Sequence, residues 1–263
     1  MPEFRDQIGR AICINSSPKK IVSTVPSQSE LLYDLGLENE IAGVTAFCVH
    51  PAKLLIEKQK IGGTKKIDIQ LVKQLDPDLV VAGKEENIKA QIEELGKYIP
   101  VWTSDVRTLK DAQSMINSLG EITGREEQAL AIQNLILQGF ERLATPLHRR
   151  SAAYLVWRKP YMAAGGDTFI SDMMSRCGFM NIFKGFARYP STSPAELQQM
   201  NPEVLLLPSE PFRFTTKHVD ELHQELPGTQ IILVNGEMFS WYGSRLIYAP
   251  RYFRTVMLEM EKQ

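Results

Sequence analysis

Apolar residues along this chain fall into short unbroken runs, separated by stretches in which they recur every three or four positions. The unbroken runs are Lys20–Val25, Ile41–Val44, Leu79–Ala82 and Val101–Thr103, then Ala152–Trp157, Val204–Leu207 and Ile231–Val234. Runs without polar alternation suit strands buried on both faces, and helical patterns between them predict the crossovers of a parallel sheet. The expected class is α/β, with two Rossmann-like parallel-sheet lobes.

The helical stretches carry their own punctuation. Ser27 and Glu30 stand at capping-box spacing ahead of Leu31, Leu32 and Leu35, with Gly36 where a terminating glycine belongs. Ser193, Pro194 and Glu196 predict a cap, a first-turn proline and a capping-box partner. Over Thr108–Ile122, a stripe of Leu109, Ala112, Met115, Ile116, Leu119 and Ile122 predicts one buried helix face. The longest pattern runs from Glu126 to Leu143, with Ala129, Ile132, Ile136, Phe140 and Leu143 on one side, about five turns. Its position at mid-chain predicts a helix joining the two lobes. The expected organisation is an N-terminal lobe over 1–123, a connecting helix over 124–147 and a C-terminal lobe over 148–263.

The halves echo each other. Residues 68–82, DIQLVKQLDPDLVVA, return 125 positions later as residues 193–207, SPAELQQMNPEVLLL. Each reads as a cap, two helical turns, a polar residue with proline, and a buried strand. Generic turn chemistry could give the same likeness, since Asp-Pro and Asn-Pro are common turns. An internal duplication is the reading preferred.

Composition narrows the function. A net charge of −1 over 263 residues offers no basic field for nucleic acid. Three cysteines, Cys13, Cys48 and Cys177, without a C-x-x-C pair, argue against a disulfide framework and a structural zinc site. No apolar run reaches the roughly 18 residues of a membrane span. The polar opening Met1–Asp6 shows no signal-peptide pattern, so the expectation is a cytoplasmic monomer, or a periplasmic one if a leader has been removed. Signatures of enzymes are missing: no G-x-x-x-x-G-K-[ST], no G-x-G-x-x-G and no G-x-S-x-G. His218 and His223 lie five apart, roughly 140° around a helix, which suits no shared metal face. Gly62–Lys65 lacks the strand-then-helix frame of a phosphate loop. The expectation is a binding protein and not an enzyme. A transferase acting on nucleotide sugars and an interaction module without a ligand are the alternatives.

In open parallel sheets the ligand crevice lies beyond the carboxyl ends of the strands. The segments there are Pro26–Gln28, Phe47–Pro51, Gly83–Glu86 and Ser104–Asp105, then Trp157–Tyr161, Pro208–Phe214 and Gly236–Tyr242. Loops are normally polar, so Phe47, Trp157, Tyr161, Trp241 and Tyr242 at strand ends suggest a broad, flat, partly apolar ligand held by rings. Rings that merely close the lobe cores are the plainer alternative. His50 could reach a metal carried by the ligand, with Cys48 a weaker candidate; a histidine bonded to solvent or backbone is the competing reading. Ser27 is expected to cap a helix whose first N–H groups suit a carboxylate or phosphate.

Several stretches then form an ordered series: DQIGR (6–10), PKKIVS (18–23), PSQSEL (26–31), LDPDLVV (75–81), CGFMNIF (177–183) and FSWYGSR (239–245). Together they cover essentially the whole chain, and the chain resembles the helical-backbone metal receptors, the class III substrate-binding proteins of ABC importers. The resemblance implies two α/β lobes bridged by a helix, with the ligand between them. It implies no intrinsic cofactor, and a ligand that is cobalamin or a related corrinoid, haem or a ferric siderophore. Implied cleft positions are Ser27, His50, Trp157, Tyr161, Trp241 and Arg245. The implied partner is a permease, docked through one acid on each lobe; Glu85 and Glu210, 125 positions apart, are the counterparts here. A cytoplasmic corrinoid carrier or sensor would keep the fold without the transporter.

Overall fold

The computed structural model describes residues 2–14, 17–144 and 148–261. The chain divides into two compact units. The first comprises Met1–Val106, Lys110–Ile136 and Tyr242–Arg245, and the second Arg107–Leu109, Leu137–Trp241 and Leu246–Gln263.

In the first unit five parallel strands lie in the order Gln59–Lys60, Ile41–Val44, Ile21–Ser23, Leu79–Gly83, Val101–Ser104. Sequence order therefore reverses between Ile21–Ser23 and Leu79–Gly83, the point where such sheets open a crevice at their carboxyl ends. Ile21, Val22, Leu79, Val80 and Val81 are wholly buried, as strands covered on both faces must be. The edge beside Val101–Ser104 is covered by a hairpin of Glu3–Arg5 and Ala11–Cys13, with Gln7 N donating to the Thr103 carbonyl at 3.1 Å.

The second unit has a parallel set in the order Phe179–Asn181, Arg150–Trp157, Val204–Pro208, Gln230–Val234. Arg150–Trp157 is long enough to change partner along its length. Its first half pairs with Phe179–Asn181, and its last residues turn antiparallel onto Tyr161–Ala163, which pairs with Ser191–Thr192. This sheet is thus mixed, a departure from the purely parallel expectation. Its order also reverses, between Arg150–Trp157 and Val204–Pro208.

The internal echo holds in three dimensions. Helices Ile69–Leu75 and Pro194–Met200 start behind Asp68 and Ser193, whose side chains accept from the third residue onward. Both end on a left-handed residue, Asp76 at φ 47° and ψ 61°, Asn201 at φ 46° and ψ 59°. Asp and Asn tolerate this conformation better than other L residues. Strands Leu79–Gly83 and Val204–Pro208 then follow at the same 125-residue offset.

Helix Leu109–Thr123 buries its whole expected stripe, from Leu109 at 4% exposure to Ile122 at 2%. The long helix runs Glu126–Glu141, two residues short of the expected Leu143, with Ala129, Ile132 and Ile136 buried. Of the connecting segment expected over 124–147, residues 145–147 lie outside the described residues. Among the described residues no helix is long and apolar enough to cross a membrane.

One capping expectation fails. The helix after the first strand is Pro26–Asp34, with Val25 as N-cap and no side-chain cap. Proline's fixed φ suits the first helical position, so the helix begins ahead of Ser27 and the box with Glu30 does not form. Ser193, which precedes its proline, caps as expected and forms the full box with Glu196.

Candidate functional site

At the reversal point of the first unit the strand ends are laced together by Asn87. Its Oδ1 accepts from Thr24 Oγ1 (2.7 Å) and Gly83 N (2.8 Å), and its Nδ2 donates to the carbonyls of Thr24 (3.2 Å) and Thr64 (3.0 Å). All four bonds of the amide are made, so the rim is fixed before any ligand arrives.

Tyr242–Arg245 lies against this rim as a strap. Gly243 packs on the Ser27 carbonyl, where a Cβ would stand only 2.9 Å from the oxygen. Arg245 forks onto Glu30, Nε to Oε2 at 2.9 Å and Nη2 to Oε1 at 2.5 Å. The two side chains are 13% and 9% exposed, a nearly buried bidentate pair. The Tyr242 hydroxyl donates to Glu86 Oε1 at 2.5 Å. Of the residues expected to meet a ligand, Ser27, Tyr242 and Arg245 are thus brought together in the first unit. Ser27 is buried under the strap instead of capping a helix, and Arg245 spends its fork on Glu30.

The Phe47 ring, 59% exposed, rests over Gly63, one residue before the Thr64 carbonyl that Asn87 holds, and His50 is half-buried. Cys48 is buried and its thiol donates to the His50 carbonyl at 3.8 Å. Burial pushes that thiol up to about 11, with a bond to Ser29 opposing the shift. With no metal bound it stays protonated at neutral pH.

In the second unit, rings gather where Arg150–Trp157 and Val204–Pro208 end. Trp157, 45% exposed, meets Phe212 edge-on at 5.7 Å between centroids. Phe212 meets Phe214 at 4.8 Å, and both meet the His218 imidazole at 5.5 Å. Thr215 N donates to His218 Nδ1 at 2.9 Å, so that nitrogen is unprotonated and the neutral ring carries its hydrogen on Nε2. Burial, then the nearby Arg158, holds the His218 pKa below the usual histidine range, favouring the same neutral form. Arg158 bonds Tyr161 and reaches Glu221 at 2.5 Å. Glu210 Oε1 accepts from Trp241 Nε1 (2.6 Å) and Ser240 Oγ (2.9 Å), so this acid orders the Trp241 ring. Glu85, on the first unit, is half-buried, and its carbonyl accepts from Lys65 Nζ at 2.8 Å.

Glu86, Phe212 and Phe214 belong to these arrangements and were not singled out from the sequence, whereas Glu30 was read as a capping-box partner and His218 as half of a histidine pair unsuited to a metal. Only Phe212 and Phe214 left a signal, as aromatics in a strand-end loop.

Residues 21–227 match the periplasmic binding protein family. The chain belongs to that family. A vitamin B12-binding protein of Pectobacterium carotovorum subsp. carotovorum (strain PC1) is 26% identical over 243 residues, covering 89% of this chain and 86% of that one. An uncharacterized ABC transporter substrate-binding lipoprotein, YvrC of Bacillus subtilis (strain 168), is 26% identical over 214 residues, 76% of this chain and 67% of that one. The crystal structure of a periplasmic heme binding protein from Pseudomonas aeruginosa shares the fold, with a TM-score of 0.78 at 19% identity over 91% of this chain and 92% of that one.

Family membership corrects the expectation of a cytoplasmic protein. The family is periplasmic by description, and the relatives are extracytoplasmic, among them a substrate-binding lipoprotein, which runs against that expectation. The opening residues that suggested otherwise form one strand of the Glu3–Arg5 hairpin, a structural role that is indifferent to compartment.

Proposed function

We propose that this chain is the substrate-binding protein of an ABC importer, without catalytic activity, and that its ligand is a metal chelate, with a corrinoid ahead of haem or a ferric siderophore. The observation that carries the reading is the ring surface of Trp157 and Phe212, held at the carboxyl ends of the second unit's central strands in a chain of this family. Rings there match the broad, flat face of a macrocycle, and nearby Arg158 and Tyr161 supply polar contacts for its edge. Relatives named for vitamin B12 support the order of preference. The proposed docking acids are Glu85 and Glu210. Because Glu210 also orders Trp241, a permease contact there would be felt by a ring near the ligand.

Titration of the purified protein with aquocobalamin, haemin and a ferric siderophore tests the reading. One of them should shift its absorbance spectrum and quench tryptophan fluorescence, and silence with all three would discard the proposal. Trp157→Ala should weaken binding of the responding ligand about tenfold, since an exposed ring contact is worth roughly 1 kcal/mol or somewhat more; unchanged affinity in the titration would remove Trp157 from the site. His50 is the proposed metal ligand of the first unit. Its replacement by alanine should alter the Soret or corrin spectrum of the complex, and an unaltered spectrum excludes ligation.

A further inference from the structure

The Tyr242–Arg245 strap is held to the first unit at two carboxylates of unequal kind. Glu30 faces a guanidinium and is fully paired. Glu86 faces a phenol, and only one of its oxygens is engaged: Oε1 accepts from Tyr242, whereas Oε2 is shut off from solvent with no hydrogen-bond partner. That second oxygen is folded over Gly83, where any Cβ would overlap it. Behind the phenol, Gln28 Nε2 donates to Ser104 Oγ at 2.6 Å, and Ser104 in turn bonds Tyr242. Tyr242 itself is 3% exposed, and Glu86 is half-buried with its Oε2 turned inward, so the phenol end of the clasp is closed to water.

A carboxyl group in this setting is better off neutral than charged. The groups around it are Tyr242, Glu85 and Lys65, and the Lys65 amine is already engaged by the Glu85 carbonyl. Burial is the largest influence and pushes Glu86 up to about 7; the phenol's hydrogen bond opposes this, Glu85 adds to it, and the Glu86 backbone N–H and Lys65 oppose it more weakly. Ionisation favours swinging the carboxylate out to solvent, which releases Tyr242.

We propose that Glu86 is a positioning residue: its neutral carboxyl, seated over Gly83 and clasping Tyr242, holds the strap in place, and its ionisation loosens it. The link to ligand binding rests on the function proposed above, because Tyr242 is one of its candidate contacts.

The sign follows from linkage. A carboxyl near 4.5 when released and near 7 when clasped takes up its proton on closing. Opening of the strap should therefore rise with pH between those values, by about tenfold from pH 6 to pH 8, and level off beyond. Amide hydrogen exchange of residues 242–245 in the full chain without ligand, corrected for intrinsic rates, reads this directly. Glu86→Gln keeps an acceptor for Tyr242 and cannot ionise, so its strap should be equally protected at both pH values. Gly83→Ala evicts the carboxylate without removing it and also crowds the Tyr242 hydroxyl, 3.1 Å from the added Cβ, so its strap should exchange rapidly at both. A wild-type strap without the pH contrast, or a contrast that survives in Glu86→Gln, overturns the inference. Cyanocobalamin affinity measured in parallel should weaken several-fold from pH 6 to pH 8 in the wild type and stay flat in Glu86→Gln. An exchange contrast with no cyanocobalamin binding at either pH upholds the clasp and counts against the corrinoid reading alone.

Discussion

Arg245→Met should cost the protein about 3 kcal/mol of stability and lower its thermal midpoint by about 10 °C, a loss visible by scanning calorimetry in the absence of any ligand. The pair it breaks is bidentate and nearly buried, with the Glu30 side chain 9% exposed. Methionine fills much of the same volume but leaves a carboxylate facing an apolar group. The penalty is that of an unpaired buried charge, which exceeds what the intact pair contributes. Replacing both partners, Glu30→Met with Arg245→Met, should restore most of the midpoint. If the single substitution leaves the midpoint within 2 °C, roughly the scale of a surface ion pair, then the strap is not held by this contact. Calorimetry on the double variant also separates charge from packing, since both variants lose the same guanidinium.

How much of this was legible in the sequence depends on the reach of each interaction. All seven predicted strands are present; a strand buried on both faces must be apolar without alternation, as Val204–Leu207 is, and Gln230–Val234 keeps the apolar run although Leu233 is 41% exposed. Gln59–Lys60 was not legible. It is a two-residue edge strand with both side chains exposed, and pairing on one side demands nothing of their polarity. Phe179–Asn181 and the hairpin of Tyr161–Ala163 with Ser191–Thr192 are short, and the hairpin closes across a long intervening stretch. The site divides in the same way. Trp157 was placed correctly at a strand end because position in an α/β sheet follows from strand order, whereas Tyr161 opens an antiparallel strand that was not predicted. Glu30 was misread because the capping-box pattern is local, whereas its partner Arg245 lies 215 residues away. The clasp of Tyr242 on Glu86 spans 156 residues, and no periodicity encodes a pair at that distance. Within the helix starts, the order of two residues decided the outcome: Ser193 before Pro194 caps, and Ser27 after Pro26 falls inside the helix.

Gly166→Ala should be as damaging as the loss of Arg245, by about 3 kcal/mol, through backbone crowding instead of charge. The stretch from Ala163 to Gly166 zips against residues 186–190: Ala163 N donates to the Pro190 carbonyl (2.9 Å), Gly165 N to Arg188 (2.8 Å) and Gly166 N to Phe186 (2.8 Å). This zipper continues the hairpin that carries Tyr161. A Cβ on Gly166 would overlap the Lys184 carbonyl oxygen and stand 2.7 Å from its carbon. Backbone held by flanking hydrogen bonds cannot step aside as a side-chain tip would, so one register of the zipper must open. Asn181, whose Nδ2 donates to the Ala164 carbonyl at 2.9 Å, would lose its anchor with it. Gly185 is the control within the same loop, because a Cβ there meets nothing within 4 Å. Gly185→Ala should leave stability unchanged or raise it slightly by restricting the unfolded chain. Urea unfolding of the two variants therefore isolates steric approach from loop flexibility. Equal midpoints would mean that the loop yields freely, and that Tyr161 is displayed by something other than this zipper.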